Sequence, residues 1–186
     1  MKPNERRNRM YIINSKTIEV LDATLSGVMN HEGCIEWYIN IDCDSAEIDG
    51  INTSPGIYLE RFEWGINCIE EITNKEINIE KGSSLSNDNL FPGESLCCLY
   101  VFEHQFLDEN QISFYLKETD LYVNWKAKNS NKYSKRFEVD IDTKIEFLGI
   151  NLGEAKDSEI VKKLIKFDTS GLDYYQEDGT LYLIPE

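Results

Sequence analysis

The run FEVDIDTKIEF, from Phe137 to Phe147, constrains the fold of this chain more than any other feature. Phe137, Val139, Ile141, Ile145 and Phe147 alternate with Glu138, Asp140, Asp142, Lys144 and Glu146. Apolar side chains at every second residue form one face of a strand, whereas a helix would scatter them around its circumference. The same period governs residues 35–43, where Ile35, Trp37, Ile39, Ile41 and Cys43 oppose Glu36, Tyr38, Asn40 and Asp42. Further strands are predicted at 57–63, 66–72, 76–80, 96–103, 111–117 and 121–127. Residues 17–29 also read as a strand, but the phase slips near Val20-Leu21, which predicts a bulge.

The connections look antiparallel. His31-Glu32-Gly33 suits the turn of a long hairpin, and Asp49-Gly50, Ser54-Pro55-Gly56 and Phe91-Pro92-Gly93 mark loops. GSSLSNDN (82–89) reads as a mobile surface loop. One helix is expected in KDSEIVKKLIKF, capped by Asp157 or Ser158, with Ile160, Val161, Leu164 and Ile165 at helical spacing and lysines towards its C-terminal end. Asp178-Gly179 then turns a small hairpin. The prediction is an all-β, mainly antiparallel β-sandwich of about ten strands. Its parts are a basic flexible N-terminus (1–9), a sandwich domain (10–150), and a C-terminal helix and hairpin (151–186), with Gly149 and Gly153 as punctuation between the last two.

Charge narrows the partners. Asp and Glu number 34 against 19 Lys and Arg, a net charge of -15. Such a surface repels nucleic acid, whose phosphates need cations, and attracts basic proteins. With no apolar run long enough to span a bilayer and no cleavable leader pattern, a cytoplasmic address is expected and no membrane contact. Five cysteines in no metal-ligand spacing fit buried thiols in a reducing compartment.

Chemistry-bearing candidates are few. Glu103 and His104 adjoin at a strand end after Cys97-Cys98, a place suited to a general base or metal ligand. Zinc, however, takes three or more such ligands, and the chain holds 2 histidines. On a strand from Leu96, the faces Leu96/Cys98/Tyr100/Phe102 and Cys97/Leu99/Val101/Glu103 are both apolar, which predicts a central strand covered on both sides. DCDSAEIDG (42–50) lacks the fifth and sixth residues of a calcium loop, having Ala46 and Glu47 there. No phosphate-binding or nucleophile motif occurs, and no cofactor is implied. Trp37 and Trp125 fall on apolar strand faces and are assigned to the core. Trp64 and Tyr38 are candidate surface anchors.

The acids are the stronger signal. Asp42, Asp44, Glu47 and Asp49 cluster at one strand end, and Glu138, Asp140, Asp142 and Glu146 line another strand. Successive carboxylates on one strand face stand about 6–7 Å apart, a rigid array for lysines and arginines of a partner. A solvated face that keeps sheets from pairing edge to edge looks the same in sequence.

LYVFEHQFLDENQISF, DLYVNWKAK and FEVDIDTKIEFLGI, in that order, resemble a family of small bacterial all-β proteins. In that family a Phe-Glu-His strand end, an Asn-containing turn and a Trp strand precede a final strand ending in Gly. EIDGINTSPGIYLERFEWGINCIEEI resembles its earlier portion, so the resemblance covers residues 35–150. These proteins are similar to immunity proteins of bacterial toxin systems, including contact-dependent growth inhibition. The resemblance implies a non-catalytic protein that binds and neutralises a cognate toxin domain; the acidic charge adds the expectation that this domain is basic, of nuclease type, and that its active site is occluded. It implies no catalytic, metal or cofactor residue, and transfers no binding motif. The competing expectation is a hydrolytic or carbohydrate-binding sandwich working through Glu103 and His104.

Overall fold

A computed structural model describes residues 9–12, 16–80, 97–129, 137–154 and 158–186. The tail at 1–8, the loop 82–89, Phe91-Pro92-Gly93, Leu96 and the Asp157 cap lie outside the described residues.

The chain is mostly strand. In order these are β1 (Arg9–Ile12), β2 (Lys16–Met29), β3 (Ile35–Cys43), β4 (Ala46–Ile48), β5 (Ile51–Thr53), β6 (Gly56–Phe62), β7 (Ile77–Glu80) and β8 (Cys97–Tyr100). Then follow β9 (His104–Phe106), β10 (Glu109–Lys117), β11 (Asp120–Lys128), β12 (Glu138–Lys144), β13 (Glu146–Glu154), helix α1 (Ser158–Leu164), β14 (Leu172–Glu177) and β15 (Thr180–Pro185). The all-β fold with one small helix is as expected, though with more and shorter strands than the ten anticipated.

β2 organises the two sheets. Its first residues pair with β1, and the rest pairs with β3 on one side and, in parallel, with β13 on the other. The register shifts between Val20 and Asp22, the bulge expected from the slipped phase. Around this bend the first sheet runs β7-β10-β11-β12-β1-β2, and the second runs β14-β15-β13-β2-β3-β6-β8-β9. Their inner faces form one apolar core, from Leu25, Ile39, Ile41, Ile57 and Leu59 to Ile112, Val123, Trp125 and Ile141. A ring stack crosses it: Trp37 of β3 meets Trp64 edge-on at 5.9 Å, and Trp64 meets Phe114 of β10 at 5.0 Å.

Four expectations are corrected. Residues 66–72 are not a strand: Ile69–Asn74 is a 3-10 turn, with Ile72 buried. The alternating run 137–147 is two strands, broken at the buried Ile145, where the chain passes from the first sheet to the second. Gly149 and Gly153 do not punctuate domains but lie inside β13, both with positive φ. A boundary at 150/151 therefore cuts a strand, and β15 pairs directly with β13, so the C-terminal hairpin belongs to the second sheet. In α1 the expected apolar stripe splits, since Val161 and Ile165 pack against the core while Ile160 and Leu164 stay exposed.

Asn110 and Trp125 satisfy each other's polar groups in the core. Trp125 Nε1 donates to Asn110 Oδ1 at 3.1 Å, and Asn110 Nδ2 donates to Leu107 O at 2.9 Å. The cysteines form no disulfide. Burial pushes the Cys43 thiol up to about 12 and the Cys98 thiol up to about 11, and raises Cys97 further. Raised thiols favour the folded state below their unfolded value, about 8.5. That gain is lost as the pH climbs through the folded values. At pH 8 the native protein should therefore modify slowly at these three thiols with a disulfide reagent, and quickly once unfolded in urea. Equal native and unfolded rates would contradict the burial.

Candidate binding face

The two acidic sets land on different sheets, and their surroundings differ. Glu138, Asp140 and Asp142 do share the outer face of β12. Opposite them on β11 stand Lys128, Lys126 and Asn124, with Lys144 and Tyr122 completing the ladder. Lys128 Nζ lies 2.7 Å from Glu109, and Lys144 Nζ lies 2.8 Å from Asp120; each carboxylate raises the pKa of its lysine. Tyr115 donates its hydroxyl to Asp142 at 2.5 Å. Acids and lysines thus interleave across β10, β11 and β12, which cancels the field at short range. Glu146 is separated from this set, since it opens β13 in the second sheet.

Asp42 sits on the outer face of the second sheet, at the end of β3. Asp44 follows in the link to β4, and Glu47 and Asp49 lie on the β4–β5 hairpin, all exposed. Asp49 (φ 53) and Gly50 (φ 80) both turn left-handed, as a two-residue hairpin turn requires. The hairpin is fixed to the body of the protein. Lys16 Nζ donates to Glu47 O, Thr53 Oγ1 donates to Val101 O, and Ser45 and Ser54 join hydroxyls at 2.9 Å.

Strand pairing brings rings beside these acids. One row across the sheet is Asp22, Asp42, Gly56, Tyr100 and His104, and the next is Thr24, Asn40, Tyr58, Cys98 and Phe106. Tyr58 donates to Asp42 Oδ1 at 2.8 Å, and its ring end lies over Gly56. A Cβ on Gly56 would stand 2.2 Å from the Tyr58 hydroxyl, so only glycine admits this pose. Burial first, and then the Asp42 bond, push the Tyr58 phenol up to about 12. Tyr100 and His104 meet edge to face at 5.4 Å. Tyr100, Phe102 and Phe106 are 38%, 39% and 37% exposed. β8 is therefore covered on one face only, contrary to the expectation of a strand covered on both.

Among the single-residue candidates, Tyr38 is half-buried on the same outer face as Asp42, its phenol raised chiefly by burial. Trp64 is removed from the contact set: it is 6% exposed and packs between Trp37 and Phe114 in the core. Trp37 and Trp125 are core residues, as assigned. Glu103 accepts from Gln105 Nε2 at 3.0 Å, while His104 packs on Tyr100. The adjacent pair thus engages different neighbours. Among the described residues no three His, Cys, Asp or Glu side chains are grouped to hold a metal ion. Sequence reasoning missed Tyr58, Tyr100 and Phe106. Their signal was present in the alternation of Tyr58 with Leu59 and of Tyr100 with Leu99, but it lacked the register that aligns them.

Comparison with protein-family models, with curated proteins and with solved structures finds no match to this chain.

Proposed function

We propose that this protein binds and neutralises a basic protein, acting as an immunity protein that covers the active site of a nuclease-type toxin domain. One observation carries this reading. Asp22 and Asp42 stand directly opposite each other beside an exposed ring row, with no lysine between them. Like charges opposite each other on neighbouring strands destabilise a sheet, and a docked cation relieves that repulsion. Within β3, β6, β8 and β9 the only cationic residue of the sequence is Arg61, which engages Tyr38. The β10–β12 face, with its interleaved lysines, lacks this character.

The chemistry suits a nuclease. A groove that holds phosphates is positive, and carboxylates on a rigid sheet present the same charge to it. Exposed tyrosine and phenylalanine rings supply the anchors that dominate binding energy in protein interfaces. Close interfacial charge pairs couple by about 1.5–7 kcal/mol.

The test is retention of a partner on the immobilised full chain, eluted in rising salt, with the partner's nuclease activity assayed with and without this protein. A single basic partner, inhibited at one-to-one stoichiometry, is expected. Asp42→Asn keeps an acceptor for Tyr58 while removing charge; combined with Glu47→Lys it should weaken binding by about a hundredfold or more. Inhibition unchanged by the double variant would overturn the assignment of this face.

A further inference from the structure

We propose that the free edge of β14 is a strand-addition site for an extended, basic segment of a partner protein. This goes beyond the β3–β9 face and does not depend on it.

Among the described residues β14 pairs only with β15, in regular register from Leu172↔Pro185 to Glu177↔Thr180. Asp178 (φ 47) and Gly179 (φ 80) form the two-residue turn. Such a turn makes the closing pair, Glu177 and Thr180, a hydrogen-bonded one, and bonded pairs then recur at every second residue. The amides of Tyr175 and Asp173 therefore face β15. Those of Tyr174 and Gln176, with their carbonyls, face outward.

Natural edges are blunted by brevity, proline, lysine or a bulge. β9, the opposite edge of this sheet, is three residues long. β14 is six residues, LDYYQE, with no proline, lysine or register shift, and it is exposed from Asp173 to Glu177. On its inner side Lys162 sits over the Tyr174 ring at 4.7 Å, and among the described residues no strand pairs with the outer edge.

Charge selects the occupant. A second copy paired antiparallel about Tyr175, the register of fullest overlap, would set Asp173 against Glu177 twice, and like charges directly opposite are destabilising. A foreign strand with Lys or Arg at two positions four residues apart would instead meet both acids, with Tyr175 against the residue between them. The net charge of -15 favours the same choice.

The test uses the full chain labelled with 15N and two blocked peptides, TKVTVKT and TEVTVET. The lysine peptide should shift the Tyr174 and Gln176 amides saturably and slow their exchange with solvent, and the glutamate peptide should not. Gln176→Pro removes an outward donor yet spares the bonds to β15; it and Glu177→Lys should each weaken binding by about tenfold. A lysine peptide N-methylated at the pairing amides should lose binding by the same factor, which guards against a Gln176→Pro variant that fails to fold. No response at Tyr174 and Gln176, an equal response to both peptides, or binding indifferent to N-methylation would overturn the proposal. Concentration-dependent protection of those amides in the chain alone would assign the edge to a second copy instead.

Discussion

Trp37→Ala should lower the unfolding free energy by about 3–5 kcal/mol, enough to threaten the fold of a domain whose total stability is about 5–15 kcal/mol. Trp37 is 1% exposed on the inner face of β3. Its indole meets Trp64 at 5.9 Å, Phe147 at 6.3 Å and Phe167 at 5.9 Å. Those rings come from the segment after β6, from β13 and from the segment after α1. One side chain therefore ties the middle of the second sheet to its late strands and to the C-terminal region. Removing it leaves a cavity whose walls are held in place from outside it, for instance by Asp168 N donating to Asn67 O at 2.7 Å between the segments that carry Phe167 and Trp64, so collapse can recover little of the loss. Urea unfolding followed by circular dichroism measures the effect; a cost under about 1 kcal/mol would show that the rings close over the gap. Trp64→Phe is the contrasting case. Trp64 Nε1 is buried with no hydrogen-bond partner among the described residues. An orphaned donor costs about 1–3 kcal/mol, so deleting it offsets much of the lost ring area. Trp64→Phe should be far milder than Trp37→Ala although both indoles sit in one stack.

What could be read in advance follows from which forces act locally. Strands β2, β3, β10 and β11 declare themselves because alternation is a property of each strand alone. Even the bulge shows in sequence as a slipped phase at Val20-Leu21, which the structure turns into two exposed residues in succession, Leu21 and Asp22. The segment 66–72 misleads because Ile66, Ile69 and Ile72 recur every third residue, the period of a 3-10 turn, while the apolar content of so short a run also suits a strand. The break at Ile145 is hidden for a different reason. The chain changes sheets there while keeping its apolar residues inward, so the alternation continues across the gap.

The candidate face was half legible on the same grounds. Exposed acids follow from the alternation on β3, and Asp42, Asp44, Glu47 and Asp49 are all at the surface. Whether an acid is neutralised depends on its cross-strand neighbour. The lysines opposite Glu138 and Asp140 come from the β11–β12 register, and the rings beside Asp42 from the β6–β8–β9 register. Two acidic strands that look equivalent in sequence therefore become one balanced surface and one unbalanced surface. The unbalanced one carries the functional argument.

Gly149→Ala should release the C-terminal hairpin from the second sheet. Gly149 has φ +103, a conformation that L side chains rarely adopt, and a Cβ there would lie 2.2 Å from Leu183 O. The obstacle is backbone rather than a movable side chain, and it belongs to β15, the strand that β13 must pair with at Ile150↔Leu183. The conformational strain costs about 1–3 kcal/mol and forced overpacking a further 1–3 kcal/mol. Separating β15 from β13 relieves the second of these. Gly153→Ala is the matched control on the same strand: its φ is +88, but nothing lies within 4 Å of the added carbon. It should carry the conformational cost alone and keep the hairpin docked. Limited proteolysis distinguishes the outcomes, because an undocked hairpin exposes the β13–β15 junction to cleavage while β3, β6 and β8 stay protected. If Gly149→Ala and Gly153→Ala prove equally resistant, the close approach of Leu183 O is not what requires glycine at 149. If only Gly149→Ala is cut, β14 is held in place by that approach, and its response to the lysine peptide should fall with it while binding through the Asp42 face survives.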